Sequence, residues 1–180
     1  MASWFLPSLT AAPGYASVPD ACESVSPQAL RQAFGSNREA ISERDQSSGD
    51  RRQGTSCQWR TDGSTAQVQS GRYGRLDLDI TIEFDSTGRP DAVEADRALA
   101  DAEREPGASV VQEFGARAIT TRTSRETRLV TGRANLTVEV RYSASELSET
   151  QGETPLPPGE LDAVVRRVAL EVLMKMGHPQ

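Results

Sequence analysis

Histidine is almost absent from this chain of 180 residues. The single histidine, His178, lies close to the C-terminal end of the sequence, where chains tend to fray. Catalytic triads and zinc sites that depend on histidine are therefore not expected. Glycine-rich phosphate loops and nucleophile elbows are also missing. We accordingly predict a protein with no metal, no cofactor and no enzymatic activity.

Lysine is as scarce as histidine, because Lys175 is the only one and every other basic residue is arginine. The 26 acidic residues outnumber the 20 basic ones, which gives a net charge of -6 and an isoelectric point near 4.9. A general nucleic-acid binder needs a basic surface that displaces phosphate counterions. The composition therefore predicts that nucleic acid is not a partner.

Long apolar runs are missing too, since none approaches the roughly 20 residues that cross a bilayer. The first ten residues contain Trp4, Phe5 and Leu6 but no basic segment, so they do not resemble a signal peptide. We expect that no part of this sequence inserts directly into a membrane. Either the protein is cytoplasmic, or the sequence is the exported part of a protein whose anchor lies outside it.

The chain has two cysteines, Cys22 and Cys57, and they are far apart in the sequence with no histidine nearby. A metal site is therefore not expected, and a disulfide is the better interpretation. Such a bridge implies an oxidising compartment and stabilises the fold by roughly 3 to 4 kcal/mol in the loop-entropy model. The alternative is a pair of buried free thiols.

The clearest structural signal is the segment Arg75 to Phe84, in which apolar and polar residues alternate. Side chains of a strand alternate between its faces, so one face here is apolar and the other is polar. The apolar face consists of Leu76, Leu78, Ile80, Ile82 and Phe84, and the polar face of Asp77, Asp79, Thr81 and Glu83. This pattern is typical of an antiparallel sheet with one covered face.

Helices are predicted at 90–105 and at 158–176, where apolar residues recur every three or four positions. Together with the strand signals, this order predicts an α+β fold, with an antiparallel sheet of about five to six strands and helices packed on one face. We expect the disulfide to tie the N-terminal segment to this sheet.

One domain is expected, spanning residues 21–177, with a short tail at 178–180. Residues 1–20 contain three prolines and a glycine, which favours a flexible tether. Residues 37–56 and 143–159 are polar and rich in serine, glycine, proline or acidic side chains. Both are predicted to be loops.

The order of several short motifs resembles the DUF3558-type extracytoplasmic domains of actinobacterial lipoproteins, and more loosely the sensor ectodomains of mycobacterial serine/threonine kinases. The motifs are Asp20-Ala21-Cys22, Cys57-Gln58-Trp59, Phe114-Gly115-Ala116-Arg117-Ala118 and Gly132-Arg133-Ala134-Asn135-Leu136-Thr137-Val138. The resemblance implies a secreted or cell-surface domain without assigned enzymatic activity, and it supplies no catalytic residues. The chain lacks the lipobox cysteine of such lipoproteins near its start.

A basic stretch stands out within the acidic chain. Between residues 115 and 142 there are six arginines and two glutamates, a local net charge of +4. This asymmetry could mark a site for an anionic ligand or an acidic partner, although charged strand residues that simply face water give the same pattern. The candidate residues are Arg117, Arg122, Arg125, Arg128, Arg133 and Arg141.

Asp77 and Asp79 project from the same face of the clearest strand. A carboxylate pair could bind calcium or serve as acid and base in hydrolysis, although an ordinary solvated face is the simpler explanation. Asn135-Leu136-Thr137 matches a glycosylation sequon, which we interpret as accidental for a bacterial protein.

The sequence thus favours an exported, non-enzymatic domain that binds or senses an unknown cell-envelope protein or small ligand. The first alternative is a carboxylate-dependent hydrolase or calcium-binding module that uses Asp77 and Asp79. The second is a cytoplasmic adaptor with two free thiols.

We predict that neither Cys22 nor Cys57 of the denatured protein reacts with an alkylating reagent until a reductant is added, because a disulfide leaves no free thiol. The intact mass after alkylation, with and without prior reduction, checks this. Immediate alkylation of both cysteines in protein purified without reductant would contradict the bridge and favour the cytoplasmic adaptor.

Overall fold

A computed structural model describes residues 13–35, 40–61, 71–112, 116–148, 150 and 152–179. These residues form eight strands, three α-helices and one short 3-10 helix at Cys22–Ser24. The strands are β1 (Ala40–Gly49), β2 (Arg52–Thr61), β3 (Gly71–Glu83), β4 (Ala108–Val111), β5 (Ala118–Arg122), β6 (Glu126–Arg133), β7 (Leu136–Ser148) and β8 (Gly152–Pro155). The helices are α1 (Pro27–Phe34), α2 (Ala92–Glu103) and α3 (Pro158–Met176).

All strands belong to one antiparallel sheet with the order β1-β2-β3-β7-β6-β5-β4. The short strand β8 pairs with the C-terminal end of β7. The predicted alternating strand is the central part of β3. Its apolar side chains Leu76, Leu78, Ile80 and Ile82 are fully buried. The prediction of an α+β fold built on an antiparallel sheet is confirmed.

The first face of the sheet carries the main core. The helices α1 and α3 pack there against β3, β6 and β7. The predicted apolar stripe of α3 is buried, including Leu161, Val165, Val168 and Val172. This wide stripe is why α3 packs along the middle of the sheet rather than at its edge.

The second face is covered only in part, by α2. Leu99 and Ala102 of α2 pack against Ile119 of β5 and Val130 of β6 in a separate apolar cluster. The prediction that the helices lie on one face is therefore wrong. The physical reason is that β5 and β6 carry apolar side chains on both faces, so both faces need cover at that end of the sheet.

The predicted number of five to six strands is also too low. The segment 37–56, predicted as a loop, contains β1 and the start of β2, and the segment 143–159 contains the end of β7 and all of β8. The side chains of β1 from residue 42 onward are all exposed. No hydrophobic alternation marks such a strand, and it is held by backbone hydrogen bonds to β2 instead.

The N-terminal segment is part of the fold from at least Gly14 onward, so within the described residues the boundary predicted at residue 20 is too late. Tyr15 is buried, and its hydroxyl donates a hydrogen bond to the Gly177 carbonyl at 2.9 Å. A Cβ atom at Gly14 would lie 2.3 Å from Pro90 Cβ, so only glycine permits this close approach. Residues 1–12 of the predicted tether lie outside the described part of the chain.

Cys22 and Cys57 form the predicted disulfide, with their Cα atoms 5.1 Å apart. Cys57 lies within β2 and is buried, and Cys22 opens the 3-10 helix that follows the N-terminal segment. The bridge therefore ties this segment to the sheet, as the sequence predicts.

The buried side chain of Asn135 joins three parts of the chain at the turn between β6 and β7. Its Oδ1 accepts the Tyr15 N–H at 2.7 Å, and its Nδ2 donates to the carbonyls of Tyr15 at 3.1 Å and Glu83 at 2.9 Å. In the turn, Ala134 adopts a positive φ of 51°. The sequon is therefore inaccessible in the folded protein.

We predict that Asn135→Ala destabilises the fold by about 2 to 4 kcal/mol, because it leaves buried backbone groups of Tyr15 and Glu83 without partners. Urea unfolding measures this loss of free energy, and Ser48→Ala on the exposed strand β1 is the control. A loss equal to that of the control would show that these hydrogen bonds contribute nothing.

Candidate binding groove on the open face of the sheet

The uncovered part of the second face forms a groove. Because α2 covers mainly the β4–β5–β6 end, a depression of about 360 Å³ remains above β2, β3 and β7, with α2 as one wall and β1 as the other. We call it the open-face groove. Its charged lining residues are the carboxylates Asp45, Asp79, Glu83 and Glu139 and the arginines Arg52, Arg128 and Arg141.

The pairing of the strands places these side chains in rows. Residues directly opposite each other in an antiparallel pair point to the same face. Asp79 of β3 is opposite Ser56 of β2 on one side and Glu139 of β7 on the other, and Asp45 of β1 continues the row beyond Ser56. Side chains of β3 alternate between the two faces of the sheet. The alternation that places its apolar side chains in the core therefore places its carboxylates on the open face.

Glu139 is neutralised by two arginines. Arg128 donates to both of its carboxylate oxygens, at 2.7 and 3.0 Å, and Arg141 Nε donates to it at 2.6 Å. Burial by itself would raise the pKa of Glu139, but the hydrogen bonds and charges of Arg128 and Arg141 outweigh burial and hold the pKa below its ordinary value. Glu139 is therefore an ionised, fully engaged anchor for these arginines.

Asp79 has the opposite environment. Burial raises its pKa, and the negative charge of Glu139 raises it further, against weaker opposing effects that include Arg141. Among the described residues, no arginine, lysine or histidine nitrogen comes within the 4.0 Å that defines an ion pair with its carboxylate. Asp79 is thus a partly buried acid in the floor of the groove, without an ion-pair partner among the described residues.

Asp77 and Asp79 project from the same face of β3, and the negative charge of Asp77 contributes to the raised pKa of Asp79. Asp77 accepts hydrogen bonds from Gln58 Nε2 at 2.9 Å and from Arg75 Nε at 2.8 Å, and Arg75 neutralises its charge. The acid that stands opposite Asp79 is Glu139. In the part of the chain that the structure describes, no group of three or more histidine, cysteine, aspartate or glutamate side chains is arranged to hold a metal ion.

The six arginines of the predicted basic patch do not form one surface. Arg128 and Arg141 lie in the open-face groove with Glu139, whereas Arg122 points to the other face and pairs with Asp162 of α3. The remaining three are separate from both groups. Arg133 donates to the Gly177 carbonyl at 3.3 Å, Arg117 pairs with Glu103, and Arg125 lies in the turn between β5 and β6.

Several lining residues were not expected from the sequence, among them Thr137 and Gly54. The Thr137 hydroxyl oxygen is buried, and it has no hydrogen-bond partner among the described residues. At Gly54, a Cβ atom would lie 2.9 Å from Ser47 Oγ and 3.3 Å from the Ile80 carbonyl oxygen, so a side chain would crowd the floor. In the sequence, the only sign that Gly54 has a structural role was the presence of a glycine within a polar segment.

Comparison of the chain with protein-family models, with curated proteins and with solved structures gives no match. The resemblance to DUF3558-type domains therefore stays a prediction. Within the described residues, none of the helices combines the length and apolar character needed to span a bilayer.

We predict stability changes of opposite sign for the two facing acids at neutral pH. Because the pKa of Asp79 is raised on folding, its ionised form destabilises the fold, so Asp79→Asn should be stabilising at pH 7. Because the pKa of Glu139 is lowered, Glu139→Gln should lose about 1 to 3 kcal/mol as Arg128 and Arg141 lose their acceptor.

Urea unfolding at a series of pH values tests both signs. The gain in Asp79→Asn should shrink as acid protonates Asp79 in the wild type, and the loss in Glu139→Gln should shrink as the pH falls through the lowered pKa of Glu139. Changes of the same sign, or changes independent of pH, would contradict this assignment of the two environments.

Proposed function

We propose that this chain is a non-enzymatic binding or sensing domain of an exported protein, and that the open-face groove is its binding site. The observation that carries the proposal is Asp79, a partly buried carboxylate in the floor of the groove without a counter-ion among the described residues. Such a group lowers the stability of the fold, and it is useful where a bound ligand supplies the missing positive charge.

The charges of the groove favour a ligand with an amine or guanidinium group. Arg128 and Arg141 are engaged by Glu139, and Arg52 lies 3.4 Å from Glu83. Neither Asp45 nor Asp79 forms an ion pair with any of the described residues. The excess charge is therefore negative, which favours a cation over the anionic ligand that the arginine-rich stretch predicts.

The polar walls offer further hydrogen bonds. Ser56, Thr81 and Thr137 contribute hydroxyl groups to the lining, and the Thr137 hydroxyl is buried without a partner among the described residues. The apolar part of the lining is small and includes Ala98 and Val130. This composition suits a small polar cation better than a lipid or an aromatic ligand.

Binding is a better explanation of the groove than hydrolysis. A two-carboxylate mechanism needs one acid that is protonated and a second carboxylate free to attack or to activate water. Glu139 is held by two arginines, and Asp77 by Arg75 and Gln58. These two acids, which are adjacent to Asp79 on β7 and β3, are therefore not free for the second role. Asp45 has no ion-pair partner among the described residues, but it lies two strands away from Asp79, beyond Ser56.

Export is supported by the disulfide between Cys22 and Cys57 and by the resemblance to extracytoplasmic domains. The same disulfide counts against the cytoplasmic adaptor, which requires two free thiols. The alkylation experiment above tests this part of the proposal separately from ligand binding.

Agmatine, which carries an ammonium and a guanidinium group, is a suitable probe for the groove. We predict that it shifts the backbone amide NMR signals of groove residues, and that Asp79→Asn weakens binding about tenfold or more through the loss of a charge-assisted contact. Asp77→Asn is the matched control, because it removes a carboxylate from the same strand face that Arg75 already neutralises.

Equal losses in the two variants would show that the effect is general electrostatics and would count against a specific site. Saturable binding of succinate in place of agmatine would overturn the cationic preference and support an anionic ligand. Shifts confined to residues outside the groove would reject the groove as the site.

A further inference from the structure

The edge strand β1 has an outer edge that no other strand covers in the described part of the chain. It pairs with β2 over its full length of ten residues. Short or bulged edge strands protect many sheets from further pairing, but β1 is long and regular. Its outer edge is therefore a template on which another extended chain can add.

The alternation of hydrogen bonds shows which backbone groups face outward. Phe84 N–H donates to the Arg51 carbonyl, so the even-numbered residues of β3 direct their backbone N–H and C=O groups toward β2. Glu83 N–H donates to the Asn135 carbonyl, so the odd-numbered residues of β3 direct theirs toward β7. Continued to β1, this order directs residues 43, 45 and 47 toward β2 and leaves the backbone groups of Ser42, Arg44, Gln46 and Ser48 on the outer edge. Of these, the Gln46 N–H already donates to Asp45 Oδ1 at 2.8 Å.

A second copy of the chain fits this edge poorly. Two antiparallel β1 strands related by a twofold axis must have one residue opposite itself. The two longest such registers are centred on Arg44 and on Asp45. The first places Arg44 opposite Arg44 and Glu43 opposite Asp45, and the second places Asp45 opposite Asp45. Like charges directly opposite each other are destabilising, so these two registers are disfavoured. A register centred on Gln46 places no like charges opposite each other, but it pairs only residues 43–49.

The same charges favour a different occupant. Glu43 and Asp45 lie on the groove side of β1, where Glu43 forms an exposed ion pair with Arg60 of β2 at 2.9 Å. Arg44 lies on the other side, 3.0 Å from Asp20. A peptide strand beside β1 would place alternate side chains next to Glu43 and Asp45. We propose that β1 binds an extended peptide segment that has basic residues at alternate positions and a non-basic residue between them. This interface shares Asp45 with the open-face groove, but its main contact is the outward backbone edge of β1, which the groove does not use.

Two synthetic peptides test the charge pattern. Thr-Val-Lys-Thr-Lys-Val-Thr places its lysines opposite Glu43 and Asp45 when its central threonine is opposite Arg44, and Thr-Val-Glu-Thr-Glu-Val-Thr places glutamates there. Fluorescence anisotropy with labelled peptides should show about five- to tenfold tighter binding of the lysine peptide, because two cross-strand charge pairs change sign. Equal affinities, or preference for the glutamate peptide, would overturn the proposal.

A pair of variants tests whether the backbone of β1 is the contact. Arg44→Pro and Arg44→Thr both lose the ion pair with Asp20, but only proline also loses the outward N–H. The lysine peptide should bind Arg44→Thr and lose most of its affinity for Arg44→Pro. The unfolding curve of each variant is compared with that of the wild type to show that it is folded. Equal binding of the peptide to the two folded variants would exclude strand addition at this edge.

A third variant keeps the proposal testable if Arg44→Pro does not fold. Asp45→Lys leaves the backbone intact and should abolish the preference for the lysine peptide, because one of the two cross-strand charge pairs changes sign while Glu43 is unchanged. An unchanged preference would overturn the proposal. Asp79→Asn, which tests the open-face groove, should leave peptide affinity within about twofold of wild type. A dimer in sedimentation experiments that Arg44→Pro abolishes would instead show self-association through β1 and refute the peptide as occupant.

Discussion

The pairing of β3 with β7 is the interaction on which the rest of this structure depends. The two strands are in register from Gly71–Leu147 to Ile82–Leu136. On one face this register buries apolar side chains that form the centre of the core beneath α1 and α3. On the other face it puts Asp79 beside Glu139. A slip by one residue would exchange the two faces, so the core and the groove share one constraint.

Unequal coverage of the two faces creates the candidate sites. The first face is covered over its central strands by α1, α3 and the N-terminal segment, which the disulfide and Asn135 hold in place. On the second face α2 packs at the β5–β6 end, where Ile119 and Val130 require cover. The strands beyond α2 have polar side chains on this face and remain open to solvent. The groove exists because one helix covers about half of one face of a wide sheet.

The electrostatics of the groove follow from the same arrangement. Glu139 and Asp79 are adjacent acids, yet two arginines neutralise Glu139, while Asp79 has no ion-pair partner among the described residues. The pKa of Glu139 is therefore lowered and that of Asp79 is raised by burial and by Glu139. The destabilising charge of Asp79 is compatible with the fold because the buried core and the disulfide stabilise the same central strands.

The sequence by itself determined the elements whose signal is local. The alternation in β3, the apolar stripe of α3 and the pairing of the only two cysteines were all readable from residue type and spacing. Tertiary structure alone decided which strands are neighbours, and with them the strand β1, the role of Asn135 and the division of the arginines between two faces. Backbone pairing and ion pairing join residues far apart in the chain, and neither requires a periodic pattern near the residues involved.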